Sequence, residues 1–268
     1  MSLHLGTGSW ADAAYKTLLT APGVPAKERL RAYSAWFDHV EVNASYYATP
    51  RASAVEAWVA QTPPRFTFNI KLLRAFSQNP HRAAAEGDLV QQLLEGVRPL
   101  VEARRLGCFL LVLPPSFKPG RHRLTELDAL AAKLAPHPLA VELRDRAWVE
   151  GAQRAETLGC FKKNRLAWVA VDMPRIPGSA LMPAVDEVTR DDLAYLRLHG
   201  RNPRYLEVES AAEKHDYAYP DTEIADIAQR VRALSQRAKD VHVIANNHAH
   251  DFAPKTALAL RQLLSGAR

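Results

Sequence analysis

Two short β-rich segments of the chain carry polar or charged side chains at alternate positions. The segment HVEVN presents Glu41 and Asn43, and the segment LAVELR presents Glu142 and Arg144. Side chains two residues apart in a strand point to the same face, so each pair shares a face opposite an apolar set. Two carboxylates that face one another can act as general acid and general base, as in glycoside hydrolysis. We therefore predict that Glu41 and Glu142 are catalytic.

Basic side chains accompany these carboxylates. Lys71 ends the segment FTFNIK, and Arg197 and His199 share one face of the segment AYLRLH. Lysine and arginine bind phosphate and carboxylate groups, and a neighbouring cation tunes the pKa of a carboxyl group. We expect Lys71 to act with the two catalytic carboxylates. We expect Arg144 and Arg197 to hold the oxygen atoms of an anionic substrate.

The remaining candidates for substrate binding lie near the ends of other β-rich segments. Polar groups orient a ligand and aromatic rings form its apolar wall. The expected substrate-binding set is Asn43, Arg144, Arg197, His199, Asn246, Asn247, Trp10, Tyr46 and Trp148. The alternative is a polar plug without activity, in which the charged members only pair with one another because buried charges need partners.

A metal site is a second alternative. The stretch Asn247-His248-Ala-His250-Asp251 contains a His-x-His pair with a nearby carboxylate, and these are residue types that bind transition metals. The chain has no H-E-x-x-H, C-x-x-C or G-x-S-x-G motif. A metal-dependent hydrolase or isomerase that uses His248 and His250 therefore stays open as an alternative, and the sequence identifies no cofactor.

These side chains need a scaffold that gathers the ends of strands, and the hydrophobic pattern predicts one. Eight β-rich segments span Leu3–Gly8, His39–Asn43, Phe66–Lys71, Cys108–Leu113, Leu139–Arg144, Ala167–Asp172, Ala194–His199 and Val241–Asn246. Apolar residues at helical spacing predict helices over Lys27–Trp36, Ala52–Gln61, Asp88–Arg104, Leu124–Leu134, Ala147–Asn164, Asp221–Arg237 and Thr256–Leu264. Long loops are expected over 176–189 and 201–219.

Eight β/α units in a chain of 268 residues indicate an α/β fold, the (β/α)8 barrel. A (β/α)8 TIM-like barrel has about 250 residues and places its active site at the carboxyl ends of its strands. We predict a single barrel domain over residues 1–268 with the site at that end. The competing fold is an open, doubly wound sheet, favoured only by a G-x-G-x-x-A pattern from Gly6 to Ala11. Pro22, Gly23 and Pro25 would interrupt the helix that this fold needs there.

Composition narrows the class of partner. The chain has 268 residues, 35 Lys plus Arg and 29 Asp plus Glu, for a net charge of +6. This modest excess suits a small polar or anionic molecule and does not require nucleic acid. A non-catalytic protein that senses a metabolite, or that binds nucleic acid through Arg201 and Arg204, remains an alternative. The longest apolar run, Cys108–Pro115, is too short to cross a membrane. The N-terminal sequence has no export signal and the two cysteines form no pairing pattern, so we expect a cytoplasmic protein.

The sequence motifs around these candidates resemble those of a known family. They are Gly6-Thr-Gly-Ser-Trp10, Val40-Glu-Val-Asn-Ala-Ser-Tyr-Tyr47, Leu113-Pro-Pro-Ser-Phe117, Val141-Glu-Leu-Arg144, Tyr195-Leu-Arg-Leu-His-Gly200 and Asn246-Asn247-His248. In this order they resemble the DUF72 family, also called the YecE-like family. The resemblance implies a TIM-barrel-like fold and supplies no established reaction, substrate or cofactor. It places Glu41, Asn43, Lys71, Glu142, Arg144, Arg197, His199, Asn246 and Asn247 at motif positions.

The chain departs from the family pattern at two positions. Val112 stands where members often carry Gln, so any polar role of that side chain is lost here. Ala245 stands where an aromatic residue usually precedes the Asn-Asn pair, which leaves room where a ring would pack.

Overall fold

Eight parallel strands form a closed barrel in the computed structural model of the protein, which describes residues 2–12, 24–85 and 88–265. The strands are β1 (Ser2–Thr7), β2 (His39–Val42), β3 (Thr67–Lys71), β4 (Leu106–Val112), β5 (Leu139–Glu142), β6 (Ala167–Asp172), β7 (Leu193–Leu198) and β8 (Asp240–Ala245). Each strand pairs with the next in sequence, and β8 closes on β1 over six residue pairs from Ser2 to Thr7. The predicted barrel is confirmed, and the open-sheet alternative is wrong. Pro22 and Gly23 lie outside the described residues.

Helices connect the strands and cover the outside of the barrel. They are α1 (Arg29–Ser34), α2 (Ala52–Gln61), α3 (Arg74–Gln78), α4 (Pro80–Ala85), α5 (Leu89–Glu102), α6 (Asp128–Leu134), α7 (Gln153–Lys163), α8 (Ala211–Lys214), α9 (Asp221–Ser235) and α10 (Phe252–Ser265). The short helices α3, α4 and α8 were not predicted from the sequence, and α8 lies inside a segment expected to be a loop.

The helix predicted over Ala147–Asn164 is split in two. A 3-10 helix covers Arg146–Val149 and α7 covers Gln153–Lys163. Gly151 separates them with φ of +51°, a backbone conformation that glycine adopts without a steric penalty. Asp145 accepts a hydrogen bond from the Ala147 backbone N–H at 2.9 Å and so caps the 3-10 helix.

Each barrel strand directs one face outward to the hydrophobic core under the helices and the other face into the interior of the barrel. Val40 and Val42 of β2 are buried with the other apolar side chains, whereas Glu41 between them contacts Arg197 of β7 across the barrel. The period-two alternation read from HVEVN and AYLRLH is therefore present. The outward apolar set packs against the helices and forms the main hydrophobic core.

Histidines fill the interior at the amino-terminal end of the barrel. The rings of His4, His39 and His242 lie 4.5–5.7 Å apart, and Asn69 lies 3.0 Å from the Nδ1 atom of His242. Burial, reinforced by the neighbouring histidines, holds the pKa values of His39 and His242 well below the ordinary value. This end is packed, which leaves the carboxyl end of the strands as the place for a site.

No helix in the described part of the chain is long and apolar enough to span a bilayer.

Candidate functional site

Arg197 of β7 forms the centre of a buried charge cluster with two carboxylates. Its Nε and Nη2 atoms donate to Glu41 at 2.9 and 2.6 Å, and its Nη1 donates to Glu142 of β5. The Tyr195 hydroxyl donates to Glu41 at 2.7 Å, and Arg144 Nε donates to Glu142 at 2.7 Å. Both carboxylates are fully buried. Burial raises the pKa of Glu142, but the positive charges of Arg197 and Arg144 outweigh it and hold that pKa well below its ordinary value.

A chain of side-chain amides and one imidazole continues from this cluster. Asn246, which follows β8, accepts hydrogen bonds from Arg197 Nη2 at 3.4 Å and from Asn43 Nδ2 at 3.3 Å. The Asn246 amide nitrogen is thereby directed to Nδ1 of His199, 3.2 Å away. His199 then carries its proton on Nε2 and donates it to Glu142 at 3.3 Å. Burial lowers the pKa of His199 to about 4, so this imidazole is neutral near pH 7.

Lys71 ends β3 beside this cluster, but it forms no ion pair with any described carboxylate. Its Nζ atom lies 4.6 Å from the centre of the Tyr46 ring. Burial lowers the pKa of Lys71 to about 8, and the positive charges of Arg197 and Arg144 act in the same direction. The Ser45 hydroxyl lies 2.6 Å from the backbone oxygens of both Val42 and Lys71, which ties the turn that carries Tyr46 to the end of β3.

A cavity of about 860 Å³ opens above the cluster at the carboxyl end of the barrel. This volume is within the usual range of about 300–1,000 Å³ for small-molecule sites. Four basic side chains and one carboxylate, that of Asp12, are among its lining residues. The lining set that matters for binding is Lys71, Arg74, Arg144, Arg197, Asn43, Asn246, Ser77, Tyr46, Tyr47, His215 and His248.

Gly8, just after β1, brings the backbone close to the two site amides. A Cβ atom added there would lie 2.3 Å from Asn43 Nδ2 and 2.9 Å from Asn246 Oδ1. Both distances are shorter than a non-bonded contact allows, so only glycine leaves these amides in place. Gly8 of the Gly6–Trp10 motif is thus explained by the close approach of two side-chain amides at the cavity, without a nucleotide phosphate.

The structure places both predicted catalytic carboxylates beneath the cavity. Neither Glu41 nor Glu142 lines it, and both have their oxygen atoms occupied by Arg197 and its neighbours. A general acid or base must come within hydrogen-bond reach of its substrate. His199 is likewise fully buried below the cavity lining, between Glu142 and Asn246. The geometry supports a role for all three in holding Arg197 and Asn246.

Three of the residues expected to touch substrate lie outside the cavity lining. Trp148 is buried, donates from Nε1 to the Phe117 backbone oxygen at 2.8 Å and stacks on the Phe117 ring, which supports the wall that Pro114 and Pro115 form. Trp10 packs edge-on against Trp58, with the two ring centres 5.3 Å apart. Neither ring is part of the cavity lining, because a side chain beside a strand end can turn toward the helices as readily as toward the cavity.

Asn247 is the third expected residue outside the cavity lining. Its amide donates to the Tyr217 backbone oxygen at 2.9 Å and to the Thr256 hydroxyl at 3.0 Å. Consecutive residues after a strand point in different directions, so Asn246 faces the cavity and Asn247 ties the preceding loop to α10.

The histidines of the metal alternative are not brought together. His248 lines the cavity, whereas the side chain of His250 is 70 % exposed and lies 3.8 Å from Asp216. Within residues 2–12, 24–85 and 88–265, no group of three His, Cys, Asp or Glu side chains could hold a metal ion. The described donor set therefore does not fit the metal-dependent reading of His248 and His250.

One of the two arginines suggested for nucleic-acid binding already binds carboxylates of the protein. Arg201 binds both oxygens of Asp172 at 2.8 and 2.7 Å and also contacts Glu223 and Asp226. These bonds anchor the segment after β7 to the end of β6 and leave little of the guanidinium for a phosphate. Arg204 is exposed and lies 3.7 Å from Glu207.

Several residues of the site were not identified from the sequence. Arg74 and Ser77 come from the short helix α3, and His215 from the segment after β7. Tyr195, which binds Glu41, lies two residues before Arg197 on the same strand face and could have been found from that spacing. The others lie in connections whose path the sequence pattern does not define.

The fold and the cavity together define a class of protein: a (β/α)8 barrel with a largely basic mouth at the carboxyl ends of its strands. The profile of the family described as "Protein of unknown function DUF72" matches residues 4–268. The chain therefore belongs to the DUF72 family.

Curated relatives match all or part of the chain. The chain is similar to the UPF0759 protein YunF of Bacillus subtilis, with 26% identity over 98% of this chain and 94% of that protein. It is 32% identical to the UPF0759 protein YecE of Escherichia coli K12 over 58% of this chain and 53% of that protein. Among solved structures it is similar to a DUF72 family protein of Enterococcus faecalis V583, with a TM-score of 0.89 and 28% identity over 98% of this chain and 95% of that one.

A DUF72 family protein of Thermotoga maritima MSB8 gives a TM-score of 0.83 with 29% identity over 99% of this chain and all of that one. The family and the fold are thus established for this chain, and its chemistry must be argued from the cavity.

Proposed function

We propose that the mouth of the barrel binds a small hydroxylated anion, such as a phosphorylated or carboxylated sugar-like molecule. The observation that carries this proposal is the unpaired positive charge in the cavity. Lys71 and Arg74 line it without any carboxylate partner among the described residues, and Arg144 uses only its Nε atom. Cations of this kind bind phosphate and carboxylate oxygens, and the planar guanidinium can do so with two parallel bonds.

Two polar atoms in the lining favour a ligand that also carries hydroxyl groups. The Oδ1 atom of Asn43 and the hydroxyl of Ser77 are buried, and neither has a hydrogen-bond partner in the described part of the chain. Both residues line the cavity. Because a buried polar atom without a partner is unfavourable by about 1–3 kcal/mol, a ligand hydroxyl that reaches these atoms gains affinity.

The aromatic residues at the rim suit the apolar face of a sugar-like ring. Tyr46 and Tyr47 line the cavity with ring centres 5.3 Å apart, and Tyr47 is 83% exposed. Val112 adds an apolar patch on the β4 side, at the position where family members often carry Gln. Rings and small apolar groups next to a few polar groups are typical of sites for small molecules.

The buried carboxylates act in this proposal as positioning residues. Glu41 and Glu142 hold the Arg197 guanidinium from two sides, so its orientation toward the cavity is fixed before a ligand binds. A prearranged cation loses little entropy on binding and can also stabilise negative charge that develops in a reaction. This replaces the acid–base role that the sequence suggested for the pair.

Titration calorimetry with inorganic phosphate and with a set of sugar phosphates and small hydroxy acids tests the proposal. We expect saturable binding that weakens at least tenfold in Lys71→Met and in Arg144→Gln. Lys239→Met is the matched control, because Lys239 is exposed and lies at the opposite end of the barrel. Equal binding by all four proteins would contradict the proposal.

The same titrations separate a small ligand from nucleic acid. Binding of one small anion depends weakly on salt, whereas a protein that neutralises several phosphates of a nucleic acid loses affinity steeply, by roughly one power of salt concentration per phosphate. Tight binding of single-stranded oligonucleotides with such a slope, and no response to small anions, would favour the nucleic-acid alternative.

We further propose a cytoplasmic location. Both cysteines are free thiols, Cys108 in the core and Cys160 half-buried on α7, and free thiols suit a reducing compartment. Fractionation of the native host with an antibody to the protein checks this expectation.

A further inference from the structure

The side chain of Lys71 stands apart from the other basic residues of the cavity. It comes from the last residue of a barrel strand, where catalytic groups of such barrels lie. Its stem is half-buried and its Nζ atom rests over the Tyr46 ring rather than against a carboxylate. A lysine that only stabilises a fold is usually exposed or held by an acidic partner, and Lys71 is neither.

We propose that Lys71 is a nucleophile that forms an imine with a small carbonyl-bearing anion, such as a 2-oxo acid or a phosphorylated aldehyde or ketone. This inference rests on the anion site proposed above and adds the class of substrate and the bond that forms. The anchoring of Lys71 by Ser45, whose hydroxyl lies 2.6 Å from the Lys71 backbone oxygen, gives the amine a rigid base.

The electrostatic surroundings favour the form of the amine that reacts. Only a neutral amine has the lone pair needed for attack, and an amine held by a carboxylate stays protonated. Burial, aided by the positive charges of Arg197 and Arg144, lowers the pKa of Lys71 to about 8, although the negative charges of Glu41 and Glu142 act in the opposite direction. At pH 7 roughly a tenth of Lys71 is then neutral, several hundredfold more than for a lysine of ordinary pKa.

The neighbouring cations also select the partner. Arg144 lines the same cavity as Lys71 and uses only its Nε atom, so it can hold an anionic group of the substrate. Arg197 adds its positive charge from below, where its nitrogens bind Glu41 and Glu142. Substrate binding would thus raise the local concentration of the carbonyl carbon next to the amine and align it for reaction. An uncharged aldehyde would gain nothing from these arginines.

The step balances without an oxidant or a reductant. The Nζ lone pair forms a bond to the carbonyl carbon while the carbon–oxygen π electrons move to oxygen. A proton passes from nitrogen to that oxygen to give a carbinolamine. The carbon–oxygen bond then breaks, water leaves with one further proton, and the nitrogen lone pair forms the carbon–nitrogen double bond. Amine and carbonyl compound give imine and water.

Reductive trapping tests the inference. The protein is incubated with glyoxylate and sodium cyanoborohydride at pH 7.5, and peptide mass mapping measures the rate of modification at each lysine. We expect Lys71 to react at least tenfold faster than Lys239, inorganic phosphate to slow only Lys71, and Arg144→Gln to slow Lys71 as well. Formaldehyde in place of glyoxylate is the uncharged control, and the preference for Lys71 should be larger with glyoxylate.

The outcomes distinguish this inference from the function on which it rests. If phosphate binds in calorimetry but glyoxylate modifies Lys71 no faster than Lys239, the imine is overturned and the anion site stands. If a fast reaction at Lys71 is not slowed by phosphate or by Arg144→Gln, the amine is merely reactive and the inference also fails. If phosphate does not bind at all and no lysine reacts selectively, both proposals are wrong.

Discussion

Replacing Lys71 by methionine should make the protein more stable at neutral pH. The folded state lowers the pKa of Lys71 from 10.5 to about 8, mainly by burial. The folded state therefore binds this proton less tightly than the unfolded state, and the charged amine opposes folding at every pH below about 8. A shift of this size corresponds to roughly 3 kcal/mol. Methionine keeps the length of the stem and removes the charge.

One contact opposes this gain. The Nζ atom of Lys71 lies 4.6 Å from the centre of the Tyr46 ring, and the variant loses that cation–π interaction. Such an interaction contributes about 0.5–1 kcal/mol at a partly exposed site. The difference leaves a predicted increase of about 2 kcal/mol in the free energy of unfolding of Lys71→Met at pH 7, since one pKa unit is worth about 1.4 kcal/mol.

Urea unfolding measured between pH 7 and pH 10.5 is the assay. The advantage of Lys71→Met should be full below pH 8 and should shrink as the pH rises from about 8 to 10.5, where the lysine is neutral in both states. Lys239→Met is the control and should change stability by less than about 0.5 kcal/mol, as most exposed substitutions do. A less stable Lys71→Met variant at pH 7, or an advantage that does not fall with rising pH, would refute the reasoning.

Three further predictions follow from the cluster below the cavity. Arg197→Met should lower the free energy of unfolding by about 3–5 kcal/mol, because two buried carboxylates lose the cation that they share. Adding Glu41→Gln should then restore part of the loss in urea unfolding, and a further loss would contradict the ion network. Gly8→Ala should weaken phosphate binding at least tenfold in calorimetry by displacing the two site amides, whereas Gly159→Ala, where an added Cβ meets nothing within 4 Å, should not. Burial lowers the pKa of His199 to about 4, so unfolding binds a proton at this imidazole, and its titration alone should lower the free energy of unfolding by about 2 kcal/mol from pH 7 to pH 5 in urea titrations. A constant stability over that range would exclude a neutral buried imidazole.

The fold followed from patterns that depend only on local sequence. A period of two residues in HVEVN and AYLRLH assigns Glu41 and Arg197 to the interior, and the structure shows them bonded across the barrel. The spacing of eight such segments fixed the number of β/α units. Both the alternation and the spacing can be read from the sequence, because each strand must bury its outer apolar face regardless of the path of the connecting loops.

The function of individual site residues was harder to predict. Whether Glu41 reaches a ligand or only Arg197 depends on how high each side chain lies in the barrel, and that height is set by the stagger of strands far apart in sequence. Alternation also ends where a strand ends, so it could not tell that Asn246 lines the cavity while Asn247 bonds to Thr256. Arg74 lies on α3, a five-residue helix that the sequence pattern did not indicate.

Proton uptake on binding of phosphate tests the central claim most directly. An anion next to Lys71 stabilises its charged form and raises its pKa, so binding near pH 8 should take up a fraction of one proton. Titration calorimetry with inorganic phosphate at pH 8, repeated in two buffers of different ionisation enthalpy, measures that uptake. The account predicts a buffer-dependent heat in the wild-type protein that disappears in Lys71→Met. Phosphate binding without proton uptake, or with the same uptake in Lys71→Met, would contradict it.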